Sequence, residues 1–262
     1  MLRSRKDQKI PLAKFRNILV TDPPMRLKLT IAYDGADFGG WQIQANADTV
    51  KEPIRLHGSG RTDAGVHALG QVAHFDSPDT LTMNPFNWVP ALNRKLPSAI
   101  RIMACEEAPD DFHARFSALE KTYTYHLSLA PILPPFFAKR AWHLPRQLNP
   151  VDLKEALSFY QGSHDFRAFA ANRGNETEDT DYLRQISRAD FEQITDGYLI
   201  TFTGNGFLYK MVRLLTGAAV QAAQGYLRQD DLYDLVNSPT KNGKKSPLAA
   251  PPDGLTLLNV CY

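Results

Sequence analysis

The run Gly58-Ser59-Gly60-Arg61-Thr62-Asp63-Ala64-Gly65-Val66-His67-Ala68 sets one carboxylate, Asp63, two residues from one guanidinium, Arg61. Glycines surround both, and glycine admits backbone conformations closed to other residues and lets a ligand come close. A carboxylate in such a loop can attack an electrophilic centre, and a nearby opposite charge favours its ionised, nucleophilic form. Aspartate is also an ordinary turn former, so the loop by itself leaves both readings open. Two phosphate-binding patterns fail here. Gly60 and Gly65 have P-loop spacing, but Val66 stands where that loop needs lysine. Asp63 occupies the third-glycine position of a dinucleotide fingerprint.

Other residues suggest further chemistry. His57, His67, His74, Asp63 and Asp76 could be assembled into a metal site, but no HExxH or paired HxH pattern supports one. They read as strand and loop residues making ordinary hydrogen bonds, and no metal is expected. Phe112-His113-Ala114-Arg115-Phe116 and Lys121-Thr122-Tyr123-Thr124-Tyr125 interleave basic and aromatic residues. That mixture suits RNA, whose unstacked bases lie on rings while cations meet phosphates. An amphipathic strand with tyrosines inside and basic stems outside would look the same. Arg213 sits among apolar residues. If buried it needs a carboxylate, for which Asp63 is the candidate; otherwise it is a surface arginine whose stem covers the core.

The elements that must position these residues are legible in outline. Leu27, Leu29, Ile31 and Tyr33 alternate with less apolar neighbours, which predicts a strand. Short strands follow at 54–57 and 71–75, and another at 122–129. Pro131, Pro134 and Pro135 then interrupt the chain and mark a boundary between halves. Asn149 as N-cap, Pro150 at the first helical position and Asp152 in the first turn open a helix, with Leu153, Ala156, Leu157 and Tyr160 on one face and Gly162 closing it. A strand is expected at 198–203. Helical spacing of Phe207, Met211, Leu214, Leu215 and Ala218 places Lys210, Arg213 and Gly217 on a different face of one helix. Leu232, Leu235 and Val236 suggest another helix, and Leu255, Leu257 and Val260 a final strand. Strands and helices in both halves give an α+β or α/β class. About 20 residues without helical periodicity separate Tyr33 from Ile54, so either those strands do not pair in parallel or a crossover helix is missing.

The chain has 262 residues, 43% of them hydrophobic, enough for one large domain or two smaller ones. A formal net charge of +2 permits a nucleic-acid partner without requiring one. Cys105 and Cys261 are far apart and fit no CxxC pattern, which points to a reducing compartment. No apolar run reaches the roughly 20 residues that span a bilayer, and no secretory h-region is visible. The expectation is a cytoplasmic protein with no membrane partner.

Four separated segments occur in the order seen in the TruA family of tRNA pseudouridine synthases: residues 60–68, 112–116, Lys121 to Tyr125, and Lys210-Met211-Val212-Arg213. Tyr33-Asp34-Gly35, Gly40-Trp41-Gln42, Gly162-Ser163-His164-Asp165-Phe166 and Ala250-Pro251-Pro252-Asp253-Gly254-Leu255 also resemble that family, so the likeness runs from Met25 to Tyr262. It implies an α+β pseudouridine synthase fold of two similar halves with joined sheets, outer helices and an RNA cleft between the halves. The divisions would be an extension at 1–24, an N-terminal half at 25–135 carrying the catalytic loop 58–68, and a C-terminal half at 136–262. It implies that Asp63 is the nucleophile that detaches the uracil of a target uridine so that it can rejoin through carbon. Tyr123 would stack on the base, Arg213 would pair with Asp63, and Arg61 would help hold the flipped nucleotide. Arg115, Lys121 and Lys210 would join Arg61 and Tyr123 in binding substrate. The substrate would be tRNA at uridines 38 to 40 of the anticodon arm, the enzyme a homodimer, and no cofactor is implied. A family helix between Gln42 and the strand before the catalytic loop is missing from this sequence. The alternative is a tRNA-binding protein or chaperone of the same fold without catalysis.

Overall fold

The computed structural model describes residues 25–41, 55–78, 83–174, 176–239 and 243–262. The extension at 1–24, Val50 with the absent helix, and the start of the strand expected at 54 lie outside these residues. In chain order the first half holds β1 (Arg26–Tyr33), β2 (His57–Gly58), β3 (His67–Asp76), α1 (Pro85–Asn93), β4 (Ile100–Glu107) and β5 (Glu120–Ser128). Then come β6 (Trp142–His143), α2 (Pro150–Ser158), β7 (Gly162–Asp165), β8 (Leu183–Ile194), β9 (Gly197–Gly204), α3 (Met211–Ala223), α4 (Gln229–Asn237) and β10 (Leu255–Cys261).

One mixed sheet runs β4-β1-β3-β10-β5-β9-β8-β7, with β2 paired to β3 and β6 to β5. The architecture is α+β, as expected from the sequence. The late strand β10 occupies the middle of the sheet, parallel to β3 and antiparallel to β5. The crossover problem dissolves at β1, which pairs antiparallel with β3 and β4, while among the described residues β2 pairs with β3 alone. No parallel β1–β2 connection is needed.

Alternation along β1 buries Leu27, Leu29 and Ile31, which pack with Ala73, Phe75, Ile102 and Trp88 of α1 into a small core. A larger core under α2 and α3 includes Tyr125, Leu127, Tyr160, Phe169, Ile200, Phe202 and Leu215. Asn149 caps α2 through the Val151 amide at 2.9 Å, with Pro150 at its first position. The helix ends at Ser158 rather than at Gly162, which has φ +112° and begins β7 instead. The third helix starts at Met211, four residues later than the Phe207 spacing predicts. Lys210 has a left-handed φ of +57° and so stands before the helix, not on its face.

Two of the histidines read as ordinary hydrogen-bonding residues, His57 and His74, also stack with each other. His57 lies opposite His74 in the β2–β3 register, their rings 4.9 Å apart and nearly parallel, with His113 4.6 Å from His74. Burial, then the neighbouring His113, His57 and Arg26, pushes His74 from its ordinary 6.5 to about 4, opposed only by Asp76. A folded-state value below the unfolded one means that the unfolded chain takes up the proton first. The contribution of neutral His74 is therefore complete above about 6.5 and is lost as pH falls toward 4. A melting series should show Tm falling across that window. His74→Asn keeps an acceptor for the Ala114 amide and should show a shallower fall; equal slopes would exclude His74 as the cause.

Candidate active site

The loop between β2 and β3 carries Asp63, and several independent bonds fix its course. The Ser59 amide donates to the Val72 carbonyl at 2.7 Å, and the Ser59 hydroxyl to Gln71 Oε1 at 2.7 Å. Gln71 Nε2 donates back to the Gly60 carbonyl at 3.1 Å. Lys121 Nζ donates to the Ser59 carbonyl at 2.6 Å. The Trp41 amide reaches the Thr62 carbonyl at 3.2 Å, and the Gly65 amide the Phe38 carbonyl at 3.2 Å. Gly65 turns the chain at φ +79°, a conformation that favours glycine. Thr62 is buried, its hydroxyl 2.6 Å from the Tyr33 hydroxyl. With Thr62 anchored inward, Arg61 is exposed and Asp63 is left at the margin, its side chain 18% exposed.

Asp63 meets a guanidinium from the other half of the chain. Arg213 Nη1 donates to Asp63 Oδ2 at 3.0 Å, and Arg213 Nε donates to the Ala250 carbonyl at 2.7 Å. Arg213 lies in the first turn of α3, its side chain 14% exposed. The strap 246–250 that supplies Ala250 is held against α3. The Ala250 amide donates to the Arg213 carbonyl at 2.9 Å and the Ser246 hydroxyl to the Leu214 carbonyl at 3.0 Å. Gly217 makes this approach possible, because a Cβ there would stand 2.1 Å from the Leu248 carbonyl oxygen. The arginine thus cannot swing freely: one edge of its fork is tied to backbone while the other grips the carboxylate.

Tyr123, on β5, is the aromatic partner of this pair. Burial, then Tyr33 and Asp63, pushes its phenol well above the ordinary value, so the ring is neutral and within electrostatic reach of the carboxylate. Phe207 braces it edge-on at a centroid distance of 5.1 Å. Its hydroxyl has no hydrogen-bond partner among the described residues.

The structure brings together Asp63, Arg213 and Tyr123, and it gives Asp63 a different charge partner from the neighbour read first in the sequence. Arg61 has no ion pair or hydrogen bond among the described residues. Lys121 lies beneath the loop, where burial and then Arg115 push its ammonium down to about 8. Lys210 stands 5.2 Å from the centre of the Tyr209 ring, which Arg173 also approaches at 4.9 Å. Arg115 is exposed on the turn before β5, its guanidinium 5.6 Å from the Phe116 ring. Sequence reasoning missed Tyr33, Thr62 and Gln71 as supports of the loop. Tyr33 closes the β1 alternation and nothing in its spacing marks it as a partner of Thr62.

The five residues considered as metal ligands are dispersed into separate contacts. Asp63 holds Arg213, and Asp76 holds Arg26 Nε at 2.8 Å. His67 Nδ1 accepts the Gly35 amide at 3.1 Å while its Nε2 faces the Lys139 carbonyl at 2.8 Å. His57 and His74 stack on each other.

Comparison with known proteins identifies the family. A family model described as tRNA pseudouridine synthase matches residues 28–117 and 156–262. The chain is similar to tRNA pseudouridine synthase A of Akkermansia muciniphila, 49% identical over 252 residues that cover 90% of this chain and 95% of that protein. It is similar also to tRNA pseudouridine synthase A 1 of Protochlamydia amoebophila, at 39% identity covering 90% of this chain and 95% of the relative. Against tRNA pseudouridine synthase A of Bacillus subtilis it is 39% identical, covering 91% and 99%.

Proposed function

Because this chain belongs to the tRNA pseudouridine synthase family, enzymes that isomerise uridine in tRNA, we propose that it acts on uridines 38 to 40 of the anticodon arm with Asp63 as nucleophile. The observation that carries the reading is the Asp63–Arg213 pair beside the neutral ring of Tyr123. Residues distant in sequence converge on one carboxylate, and the loop that bears it is fixed from several sides.

The chemistry follows from those groups. A base inside a stem must be extruded at a cost of a few kcal/mol, and stacking on Tyr123 offsets part of it. The Asp63 carboxylate adds to the nucleotide at C6 of the base or at C1′ of the ribose. The bond from N1 to C1′ breaks, the uracil turns, and C5 bonds to C1′ in its place. The C5 proton leaves to solvent, N1 takes up a proton in place of its lost bond to C1′, and Asp63 is released unchanged. Atoms are conserved and no electrons are exchanged, so the isomerisation calls for no redox partner. Arg213 offsets the charge of the carboxylate and aims it. Arg61, exposed next to Asp63 and without an ion pair among the described residues, is placed to meet a phosphate of the extruded nucleotide. Lys121 acts on substrate through the loop, by holding the Ser59 carbonyl. Arg115 and Lys210 supply further positive charge to the RNA.

We infer a cytoplasmic homodimer. Supporting the location, Cys105 and Cys261 are both free, and among the described residues no helix is long and apolar enough to cross a membrane.

The test uses unmodified tRNA carrying tritium at C5 of uridine. Tritium release from sites 38 to 40 supports the assignment. Release confined to other uridines would move the site within the tRNA, and no release from folded, tRNA-bound protein would favour a binding protein without catalysis.

A further inference from the structure

Between β4 and β5 the chain makes a turn at 112–117 that has little regular structure and many anchors. Arg26 Nη1 donates to the Phe112 carbonyl at 3.2 Å. The Ala114 amide donates to His74 Nδ1 at 3.1 Å, and the Ala114 carbonyl accepts from the Tyr262 hydroxyl at 2.7 Å. The His113 amide donates to the Ser117 hydroxyl at 2.9 Å, and the Ser117 amide returns to the His113 carbonyl at 2.9 Å. His113 Nδ1 accepts the amides of both Arg115 and Phe116, at 3.1 and 3.3 Å.

This scaffold displays two side chains outward. Arg115 is exposed, and Phe116 is 76% exposed. One side of the Phe116 ring is backed by the imidazole of His113, 4.3 Å away at a tilt of 33°. The Arg115 guanidinium stands 5.6 Å from the ring centre. A phenylalanine this exposed contributes little to the core, while a rigid turn lowers the ordering cost of any ligand it meets. A backed aromatic face beside a fixed positive charge matches an unpaired base with its phosphate. The turn also lies near the chemistry, since Arg115 is felt electrostatically by Lys121, the residue that holds the root of the Asp63 loop.

We propose that Phe116 and Arg115 form a stacking site for an unpaired base of the RNA substrate, separate from the Asp63, Arg213 and Tyr123 cluster proposed to act on the target uridine. The proposal rests on the reading of this chain as a tRNA enzyme. His113 is its positioning residue, acting through the two amides it accepts.

The experiment measures Kd for an unmodified tRNA transcript together with the single-turnover rate at saturating RNA. Phe116→Ala should weaken binding roughly five- to hundredfold, with Tm and saturated rate within about twofold of the parent. Phe116→Trp should bind like the parent. Phe116→Leu, apolar but without a π face, should bind like the alanine variant. His113→Asn, whose amide oxygen can take the place of Nδ1, should keep affinity where His113→Ala loses it. An unchanged Kd for Phe116→Ala, or full binding by Phe116→Leu, would overturn the proposal. So would a fall in sedimentation coefficient for Phe116→Ala, because the ring would then be a contact between copies of the chain. A parent protein that binds tRNA through Phe116 yet forms no pseudouridine would defeat the functional reading and leave the stacking site standing.

Discussion

Asp63→Asn is expected to bind unmodified tRNA within about twofold of the parent and to lose turnover by at least roughly 10⁴, the scale seen when a covalent nucleophile is removed. The amide is nearly isosteric and can still accept from Arg213, but it has no charge with which to attack the nucleotide. The loop should keep its shape, because its bonds run through Ser59, Gly60, Thr62 and Gly65 rather than through the Asp63 side chain. Binding should persist because contacts to phosphates supply most of the affinity. Tritium release from C5, measured beside a binding titration, separates the two effects. Turnover by Asp63→Asn at even a hundredth of the parent rate would sink the nucleophile assignment. Alanine is the poorer test, since it strips the partly buried Arg213 of its partner and adds a folding cost of about 1–3 kcal/mol.

Arg213→Lys should lower kcat by roughly 10²–10³ with little change in KM, comparable to the loss of one preorganised charge-stabilising donor. Lysine keeps the charge and loses the fork. Arg213 uses Nε on the Ala250 carbonyl and Nη1 on Asp63 at the same time. A single ammonium on a flexible stem cannot hold both acceptors in that geometry. The carboxylate would then keep a nearby cation and lose its aim. The comparison therefore weighs orientation against mere charge: an unchanged kcat would show that Arg213 only balances Asp63 and does not orient it.

Much of the site was legible because its residues sit inside distinctive runs. Asp63 and its suggested pairing with Arg213 follow from sequence context, and the pair forms across 150 residues of chain; the role of Tyr123 is implied only by the family resemblance. The less legible parts have identifiable causes. Strand β4 buries Ile102 and Cys105, three residues apart, because its pairing with β1 shifts register between Thr30 and Ile31. Strand β8 buries Ile186 and Ala189 for the same reason, with a shift between Ile186 and Arg188. A bulge adds a residue on one strand and erases the two-residue period that sequence reading depends on. Helix α1 was hidden by its prolines. Pro85 is harmless at the first helical position, but Pro90 lies inside and reads as a breaker. Lys210 followed the right period one turn too early, since periodicity does not report where a backbone turns left-handed. The bond from Lys121 to the Ser59 carbonyl was not legible, because a charge near aromatics gives no hint of which backbone carbonyl it will meet.

The central place of β10 has a consequence for how the enzyme comes into being. His67 and Ala68 find parallel partners only in Thr256 and Leu257, far along the chain, and Leu257 is also the partner of Tyr123. Until that strand arrives, β3 and β5 are open edges with unpaired backbone groups, available to each other or to another chain. Assembly must wait for contacts of long sequence separation, which makes folding slow and the intermediate prone to aggregate. Catalytic competence therefore comes late. A nascent chain that already displays the Asp63 loop and Tyr123 still lacks Arg213 and the insertion that seals the sheet, so with the site proposed above it is expected to form no pseudouridine until β10 is in place. Chaperones that shield open strand edges would act on this intermediate, and activity would report complete assembly more sharply than helix content does.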